Sequence, residues 1–160
     1  MRVAIDSDPN GVGLKTFLLS YLQGRPDIEA ADLNYLPGHP GEDYPDAALN
    51  MGREILRGRF DRGILICGTG LGMCIAANKI PGIFAGCCHD AYAAERLARS
   101  NDAQIMTLGA FVIGQESARK MVEIWLGSTF DGGRSLPKVV RIREIEKEFW
   151  KTGPTEIAGR

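Results

Sequence analysis

The chain contains 160 residues, of which 44% are hydrophobic and 24% are charged, and its net charge is -1. This length and composition are typical of one globular domain, which we place over residues 1–150, with a flexible tail over residues 151–160. The balanced charge argues against a nucleic-acid or membrane partner, and no apolar run approaches the length of a membrane span, so a cytoplasmic protein is expected.

Short apolar runs alternate along the chain with segments whose apolar residues repeat with the period of a helix. The runs predict five strands, at residues 2–6, 28–35, 62–67, 83–88 and 103–108. The helical spacing predicts a short helix through Ala76 and longer helices over residues 14–22, 46–57, 90–99, 118–126 and 138–150. This alternation predicts βαβ units, and hence an α/β fold with a mainly parallel five-stranded sheet covered on both faces.

Three predicted strands carry polar or reactive residues to the edge of the sheet where ligands bind in open α/β folds. Asp8 follows the first strand, Cys67 ends the third, and His89 follows the fourth. Asp8 could orient a substrate hydroxyl or cap the next helix, and the sequence leaves both alternatives open. His89 could equally be functional or structural, whereas His39 lies in a Pro- and Gly-rich loop, where histidines are more often solvent-exposed than functional.

A glycine-rich loop connects the third strand to the following helix, with the sequence Gly68-Thr69-Gly70-Leu71-Gly72. Alternating glycines allow successive backbone N–H groups to point at one anion, so the loop predicts an anion-binding nest. A tight strand-to-helix turn without a ligand is the alternative interpretation. A dinucleotide fingerprint fits less well, because that motif is GxGxxG after the first strand, whereas this loop is GxGxG after the third.

Cys67 is the strongest candidate for a reactive side chain, because it ends a strand directly before these amides. A nest and a helix N-terminus both stabilise a thiolate, and a buried structural cysteine is the alternative. Cys74, Cys87 and Cys88 lack this position and are expected to be packing residues. The four cysteines include no CxxC pair, so we expect neither a structural zinc site nor a disulfide framework.

Basic side chains cluster around the start of the last predicted helix. They are Arg134, Lys138 and Arg141. Such a cluster forms a solvated face in many proteins, and it could also bind a phosphate group. The residues alone leave both interpretations open.

Several segments, in this order, resemble the ribose-5-phosphate isomerase type B and galactose-6-phosphate isomerase family. They read RVAIDSDPNGVGLK, DYPD, DRGILICGTGLGMCIAANKIPGI, SNDAQIMTLGAFVIG and WLGSTFDGGRS, so the resemblance extends over roughly residues 1–145. It implies a Rossmann-like three-layer α/β/α sandwich with a C-terminal helix. It also implies an aldose–ketose isomerase that acts on a phosphorylated monosaccharide through a cis-enediol or enediolate, without a metal or an organic cofactor. Family members form dimers, or dimers of dimers, with shared active sites, so a homodimer or homotetramer is expected.

The resemblance also implies roles for individual residues. Cys67 matches the catalytic base, which moves a proton between C1 and C2. Asp8 and Asn101 match substrate contacts, Arg134 matches a phosphate ligand, and Lys138 stands where a second phosphate-binding arginine is expected. The family loop that holds the substrate and the developing oxyanion corresponds to Gly68, Thr69, Gly70 and Gly72, of which Thr69 joins Cys67 as catalytic. A base and converging donors are what deprotonation next to a carbonyl requires.

The sequence departs from the family pattern around these residues. Pro9 and Ser100 stand where the family commonly has histidine, and the histidine at the second position is credited with opening the sugar ring. Phe111 stands where an arginine is frequent. The base and the oxyanion loop are therefore kept, whereas ring opening and substrate binding are altered. His89 or His39 could act as a substitute acid/base.

These departures leave the substrate open. Family frequency favours ribose 5-phosphate and ribulose 5-phosphate. The alternative pair is erythrose 4-phosphate and erythrulose 4-phosphate, because a tetrose 4-phosphate cannot close into a ring and needs no ring-opening group. Two other interpretations are a non-catalytic sugar-phosphate-binding relative and a catalytic subunit that requires a different partner chain.

Overall fold

A computed structural model describes residues 1–35 and 43–152 of the chain. Its strands are β1 (Arg2–Ser7), β2 (Glu29–Asp32), β3 (Arg62–Cys67), β4 (Ala85–Cys87) and β5 (Ile105–Gly109). Its helices are α1 (Val12–Gln23), α2 (Tyr44–Leu56), α3 (Leu71–Ala77), α4 (Ala91–Arg99), α5 (Gln115–Leu126) and α6 (Leu136–Thr152). All strand pairs are parallel, and the sheet order is β2-β1-β3-β5-β4. Within the described ranges, no helix has both the length and the apolar character needed to cross a membrane.

Helices cover both faces of the sheet. Side chains alternate along a strand, so Val3 and Ile5 of β1 face one layer and Ala4 faces the other. The first layer contains α1, α4 and α5, and Trp125 of α5 is fully buried there. The second layer contains α2 and α3, and Met51 of α2 is buried in it. This arrangement confirms the α/β/α sandwich predicted for the chain.

The two edge strands, β2 and β4, are shorter than predicted. The Asp32 carboxylate accepts a hydrogen bond from the Asn34 backbone N–H at 3.1 Å, which favours a turn over a continued strand. β4 pairs with β5 alone. Just before it, the Phe84 backbone N–H donates to the side-chain oxygen of Gln104 at 2.8 Å. The Phe84 carbonyl oxygen still accepts the Ile105 backbone N–H at 3.2 Å, so a side chain replaces the backbone partner of the Phe84 N–H alone, and the ladder begins at Ala85.

Helix α6 lies outside these layers and contacts the domain at a few points. Val139 is buried, and the Glu146 carboxylate accepts the Gly82 backbone N–H at 3.0 Å. The Arg143 guanidinium donates to the Asp102 carboxylate at 3.0 Å. Several large apolar side chains of the helix remain exposed, namely Leu136, Val140, Ile142, Ile145, Phe149 and Trp150.

Candidate active site

The candidate site lies at the carboxyl ends of β1, β3 and β5, where the topology predicts a ligand. Cys67 ends β3, the central strand, and pairs with Gly109 at the end of β5. On the other side of β3, the Asp8 backbone N–H donates to the Ile66 carbonyl oxygen at 3.1 Å. The loop that follows Cys67 therefore lies between the ends of the two neighbouring strands.

The Cys67 side chain has a polar partner although it is only 5% exposed. Its Sγ accepts a hydrogen bond from the Gly70 backbone N–H, with a sulfur–nitrogen distance of 3.1 Å. Such a bond stabilises negative charge on sulfur. Elsewhere in the chain, burial raises the pKa of the Cys88 thiol to about 12 and also raises the pKa of Cys87. These two thiols are therefore protonated near neutral pH, as suits packing residues.

Gly70 fixes the shape of the loop. Its φ of 79° is left-handed, a conformation that glycine adopts without steric cost. Its carbonyl oxygen accepts a hydrogen bond from the Thr107 hydroxyl at 2.8 Å. A Cβ atom on Gly70 would lie 2.8 Å from the Cys87 Sγ and 2.9 Å from the Leu108 carbonyl carbon. Both the conformation and the space therefore require glycine at this position.

Thr69 has its side chain turned towards the start of α3. Its Oγ1 accepts a hydrogen bond from the Leu71 backbone N–H at 3.3 Å. Its backbone is packed tightly against β5, since a Cβ atom on Gly109 would lie 2.6 Å from the Thr69 carbonyl carbon and oxygen. The loop is thus positioned by its hydrogen bond to the Cys67 Sγ and by its contacts with β5.

Two exposed aromatic rings flank this loop, and sequence reasoning missed both contacts. The Tyr44 ring has atoms 2.9–3.1 Å from the position that a Cβ on Gly72 would occupy, and Phe111 ring atoms lie 3.0–3.1 Å from that of a Cβ on Gly68. Tyr44 is 42% exposed and Phe111 is 75% exposed. The glycines allow the rings to approach the backbone. The sequence does mark both residues: Phe111 departs from the family pattern, and Tyr44 belongs to the segment DYPD, which carries part of the family resemblance.

Asp8 caps the short 3-10 helix that follows β1. Its Oδ1 accepts hydrogen bonds from the backbone N–H groups of Asn10 at 2.9 Å and Gly11 at 3.1 Å. The Asn10 side-chain amide donates to Oδ2 at 3.3 Å. Of the two alternatives for Asp8, the capping role is therefore present in the structure, and the contact with substrate stays a prediction.

His89 lies beside the loop but already has a hydrogen-bond partner. Its Nε2 accepts the Gly109 backbone N–H at 3.0 Å and lies 3.9 Å from the Cys87 Sγ. This bond places the proton of a neutral ring on Nδ1. His89 thus supports the strand end against which Thr69 packs. The other histidine, His39, lies outside the described residues.

The remaining site candidates line a separate polar cavity of about 440 Å³ between α4 and the start of α6. Asn101, Arg134 and Lys138 line it together with Ser100, and its other polar lining residues are Tyr92, Arg96, Arg99, Asp131 and Ser135. No residue of the loop 67–72 lines this cavity. Within one chain, the candidate phosphate ligands and the candidate base are therefore in two different places. In the described part of the chain, no three His, Cys, Asp or Glu side chains are grouped to hold a metal ion.

Asp6, at the end of β1, is a buried carboxyl group whose titration affects stability. Its Oδ1 accepts the Ser7 backbone N–H at 2.7 Å, while Oδ2 has no hydrogen-bond partner among the described residues. Burial raises its pKa from 3.8 to about 6. Between these pH values the folded protein keeps a proton that the unfolded chain has lost, so the free energy of unfolding falls as the pH rises.

We expect Asp6→Asn to remove this pH dependence. The shift in pKa corresponds to about 3 kcal/mol at most. Relative to wild type, the variant should gain up to this free energy of unfolding between about pH 4 and about pH 7. Urea denaturation of both proteins at the two pH values measures the change. If the free energy of unfolding of the variant exceeded that of wild type by the same amount at both pH values, the expectation would be contradicted.

Comparison with known proteins assigns the chain to a family. The family model described as Ribose/Galactose Isomerase matches residues 3–142. The chain is 43% identical over 148 residues to a D-erythrulose-4-phosphate isomerase of Pectobacterium atrosepticum, covering 92% of this chain and 97% of that protein. It is 45% identical over 148 residues to a ribose-5-P isomerase B of Listeria innocua, covering 92% and 99%.

The fold comparison agrees with the sequence comparison. The solved structure of Clostridium thermocellum ribose-5-phosphate isomerase B superposes with a TM-score of 0.86 at 42% identity, covering 93% of this chain and 99% of that one. At this identity and coverage, the shared fold reflects common family membership. The chain belongs to the ribose/galactose isomerase family and is an aldose–ketose isomerase of phosphorylated sugars.

Proposed function

We propose that the chain interconverts erythrose 4-phosphate and erythrulose 4-phosphate. Ser100 is the observation that carries this proposal, because it lines the polar cavity where the family commonly has a ring-opening histidine. A serine hydroxyl ionises far above neutral pH, so it cannot replace an imidazole as a general acid and base. A tetrose 4-phosphate carries its phosphate on the only hydroxyl that could close a five-membered ring, so the aldehyde is open without catalysis.

His89 is a poor replacement for the histidine whose position Ser100 occupies. The Nε2 of His89 is bonded to the Gly109 backbone N–H at 3.0 Å, and moving it onto a sugar would leave that N–H unpaired. His39 lies in the part of the chain that the structure does not describe. The resemblance to a relative named as a D-erythrulose-4-phosphate isomerase is consistent with a four-carbon substrate.

The reaction requires one carbon-bound proton to move between neighbouring carbons. In this proposal, the Cys67 thiolate takes the proton from C2 of the aldose, the C–H electron pair forms the C1–C2 double bond, and the carbonyl oxygen becomes an enediolate oxygen. Backbone N–H groups of the loop 68–72 donate to this oxygen. Cys67 then returns the proton to C1, while the Thr69 hydroxyl relays the proton that leaves O2 to O1.

We also propose that the active enzyme is a homodimer with sites shared between protomers. Among the described residues, the polar cavity that Arg134 and Lys138 line does not include Cys67. Large apolar side chains are exposed next to the loop, including Leu71 and Ile75. A second copy that covers these side chains could bring its own polar cavity to the loop, so that Arg134 of one protomer binds the phosphate of a substrate held over the partner's base.

Ribose 5-phosphate is the second candidate substrate. It is favoured by the 45% identical relative that is named as a ribose-5-P isomerase B. This alternative requires another group to open the ring, and Nδ1 of His89 or the side chain of His39 would have to supply it.

A substrate panel tests these proposals. The purified chain is given erythrose 4-phosphate, ribose 5-phosphate, allose 6-phosphate and galactose 6-phosphate separately in deuterated water, and NMR follows both conversion and deuterium exchange at C2. We expect a kcat/KM for the tetrose at least about tenfold above that for ribose 5-phosphate. Faster conversion of ribose 5-phosphate would overturn the tetrose assignment in favour of the second candidate. Turnover of neither sugar would overturn both substrate proposals.

A further inference from the structure

We propose that Phe111 determines the substrate length by forming an apolar wall on the Cys67 side of the sugar site. The inference deepens the proposed function and rests on it for the identity of the preferred sugar. Phe111 would favour an aldose phosphate with one fewer CHOH group over its longer homologue. A phenyl ring has no ionisable proton, so the role of Phe111 is specificity rather than proton transfer.

The position of Phe111 is fixed relative to the base. Two backbone hydrogen bonds connect the turn after β5 to Cys67 and the first residue of the loop 68–72. The Ala110 N–H donates to the Cys67 carbonyl oxygen at 2.8 Å, and the Phe111 N–H donates to the Gly68 carbonyl oxygen at 3.0 Å. The next residue, Val112, bonds instead to Gly109 within the turn itself, at 3.0 Å. The backbone of Phe111 is therefore fixed against the start of the loop, next to Gly68.

The Phe111 ring occupies the space directly beside Gly68. Its Cε2 and Cδ2 lie 3.0 and 3.1 Å from the position of a Cβ on Gly68, and the Asn10 Cβ lies 4.0 Å from the same point. The ring is 75% exposed, so core packing does not explain a phenylalanine here. An exposed ring that lies against the residue following the base is placed to contact the substrate.

An apolar wall discriminates against an additional hydroxyl. A phenyl ring offers no hydrogen-bond donor or acceptor in its plane, so a CHOH group pressed against it would lose hydration without gaining a partner. The ring also removes volume that a longer chain needs. Discrimination of this kind by apolar contacts amounts to about 10- to 100-fold in kcat/KM.

The test compares Phe111→Ala with wild type on two aldose phosphates that differ by one carbon. The pair is the aldose phosphate that wild type converts best and its homologue one carbon longer, which for the proposed function means erythrose 4-phosphate and ribose 5-phosphate. We expect the ratio of kcat/KM values, shorter over longer, to fall at least about tenfold in Phe111→Ala. Val112→Ala is the matched control, because Val112 is the neighbouring exposed residue, at 56% exposure. Its ratio should equal that of wild type.

The outcomes separate this inference from the proposed function. The wild-type ratio alone tests the preference for the tetrose, whereas the change of that ratio in Phe111→Ala tests the wall, whichever sugar is preferred. An equal loss of kcat/KM on both sugars, or an unchanged ratio, would overturn the inference. A ratio that falls only together with dissociation of the oligomer, measured by light scattering, would also overturn it, because Phe111 would then act through assembly.

Discussion

Replacing Cys67 by alanine is expected to lower kcat at least about a thousandfold. The carbon-bound proton must pass through a base placed against C1 and C2, and the Cys67 Sγ is the side-chain atom that accepts the loop amide of Gly70, at 3.1 Å. Alanine removes the base and leaves the loop backbone in place. Single-turnover kinetics and the rate of deuterium exchange at C2 should fall together, because both depend on the same proton transfer.

The matched control is Cys74→Ala, which removes a thiol from α3 instead. Cys74 contacts the Ala85 carbonyl oxygen at 3.5 Å, away from the loop amides, so its loss should leave kcat within about twofold of wild type. Cys67→Ala that keeps more than about a tenth of the wild-type kcat would show that another group is the base. Unchanged thermal unfolding of Cys67→Ala would show that the loss is chemical.

Gly109→Ala is expected to lower both stability and activity. A Cβ at this position would lie 2.6 Å from the Thr69 carbonyl carbon and oxygen, and these are backbone atoms that no rotamer change can move away. The loop 68–72 would have to shift, and the hydrogen bond from the Gly109 N–H to His89 would be strained with it. We expect a loss of about 2 kcal/mol or more in the free energy of unfolding, together with a fall in kcat of at least about tenfold. Urea denaturation and steady-state kinetics measure the two effects.

Gly114→Ala provides the comparison for Gly109→Ala. Gly114 precedes α5 with an extended backbone, φ of -73° and ψ of 155°, and a Cβ there would meet nothing within 4 Å. Gly114 is also the N-cap of α5, where alanine is less favourable than glycine, but alanine lowers the entropy of the unfolded chain. These effects oppose each other, so the free energy of unfolding should change by no more than about 1 kcal/mol. If Gly109→Ala behaved like Gly114→Ala in both measurements, the tight packing between β5 and the loop would have no energetic consequence.

Local sequence patterns predicted the elements of the fold better than they predicted its edges. Residues 63–67 are a continuous run of non-polar residues buried on both faces of the sheet, and β3 has the predicted limits of residues 62–67. The edge strand β2 was predicted over residues 28–35 but ends at Asp32. It ends there because the Asp32 side chain bonds to the Asn34 backbone N–H, a competition that an apolar run does not reveal.

The candidate site was predictable where neighbouring residues define it, and less so where distant ones meet. Cys67 and its loop are adjacent in sequence, so the strand–loop–helix pattern was sufficient to find them. The bond between His89 and Gly109 joins residues 20 apart. The contact of Tyr44 with Gly72 depends on how α2 packs against α3. Such contacts are set by tertiary packing, which one sequence without its fold does not specify.

The bond between the Gly70 carbonyl oxygen and the Thr107 hydroxyl has a consequence for the energy of the reaction. It anchors the loop 68–72 to an interior strand of the sheet at 2.8 Å, so the orientation of the loop amides is fixed when the protein folds. Water molecules around a developing enediolate must reorient, and this reorganisation raises the barrier in solution. Amides that already have their final orientation avoid it. In the proposed reaction, these pre-oriented amides would lower the barrier to proton transfer, and β5 would contribute by holding the loop.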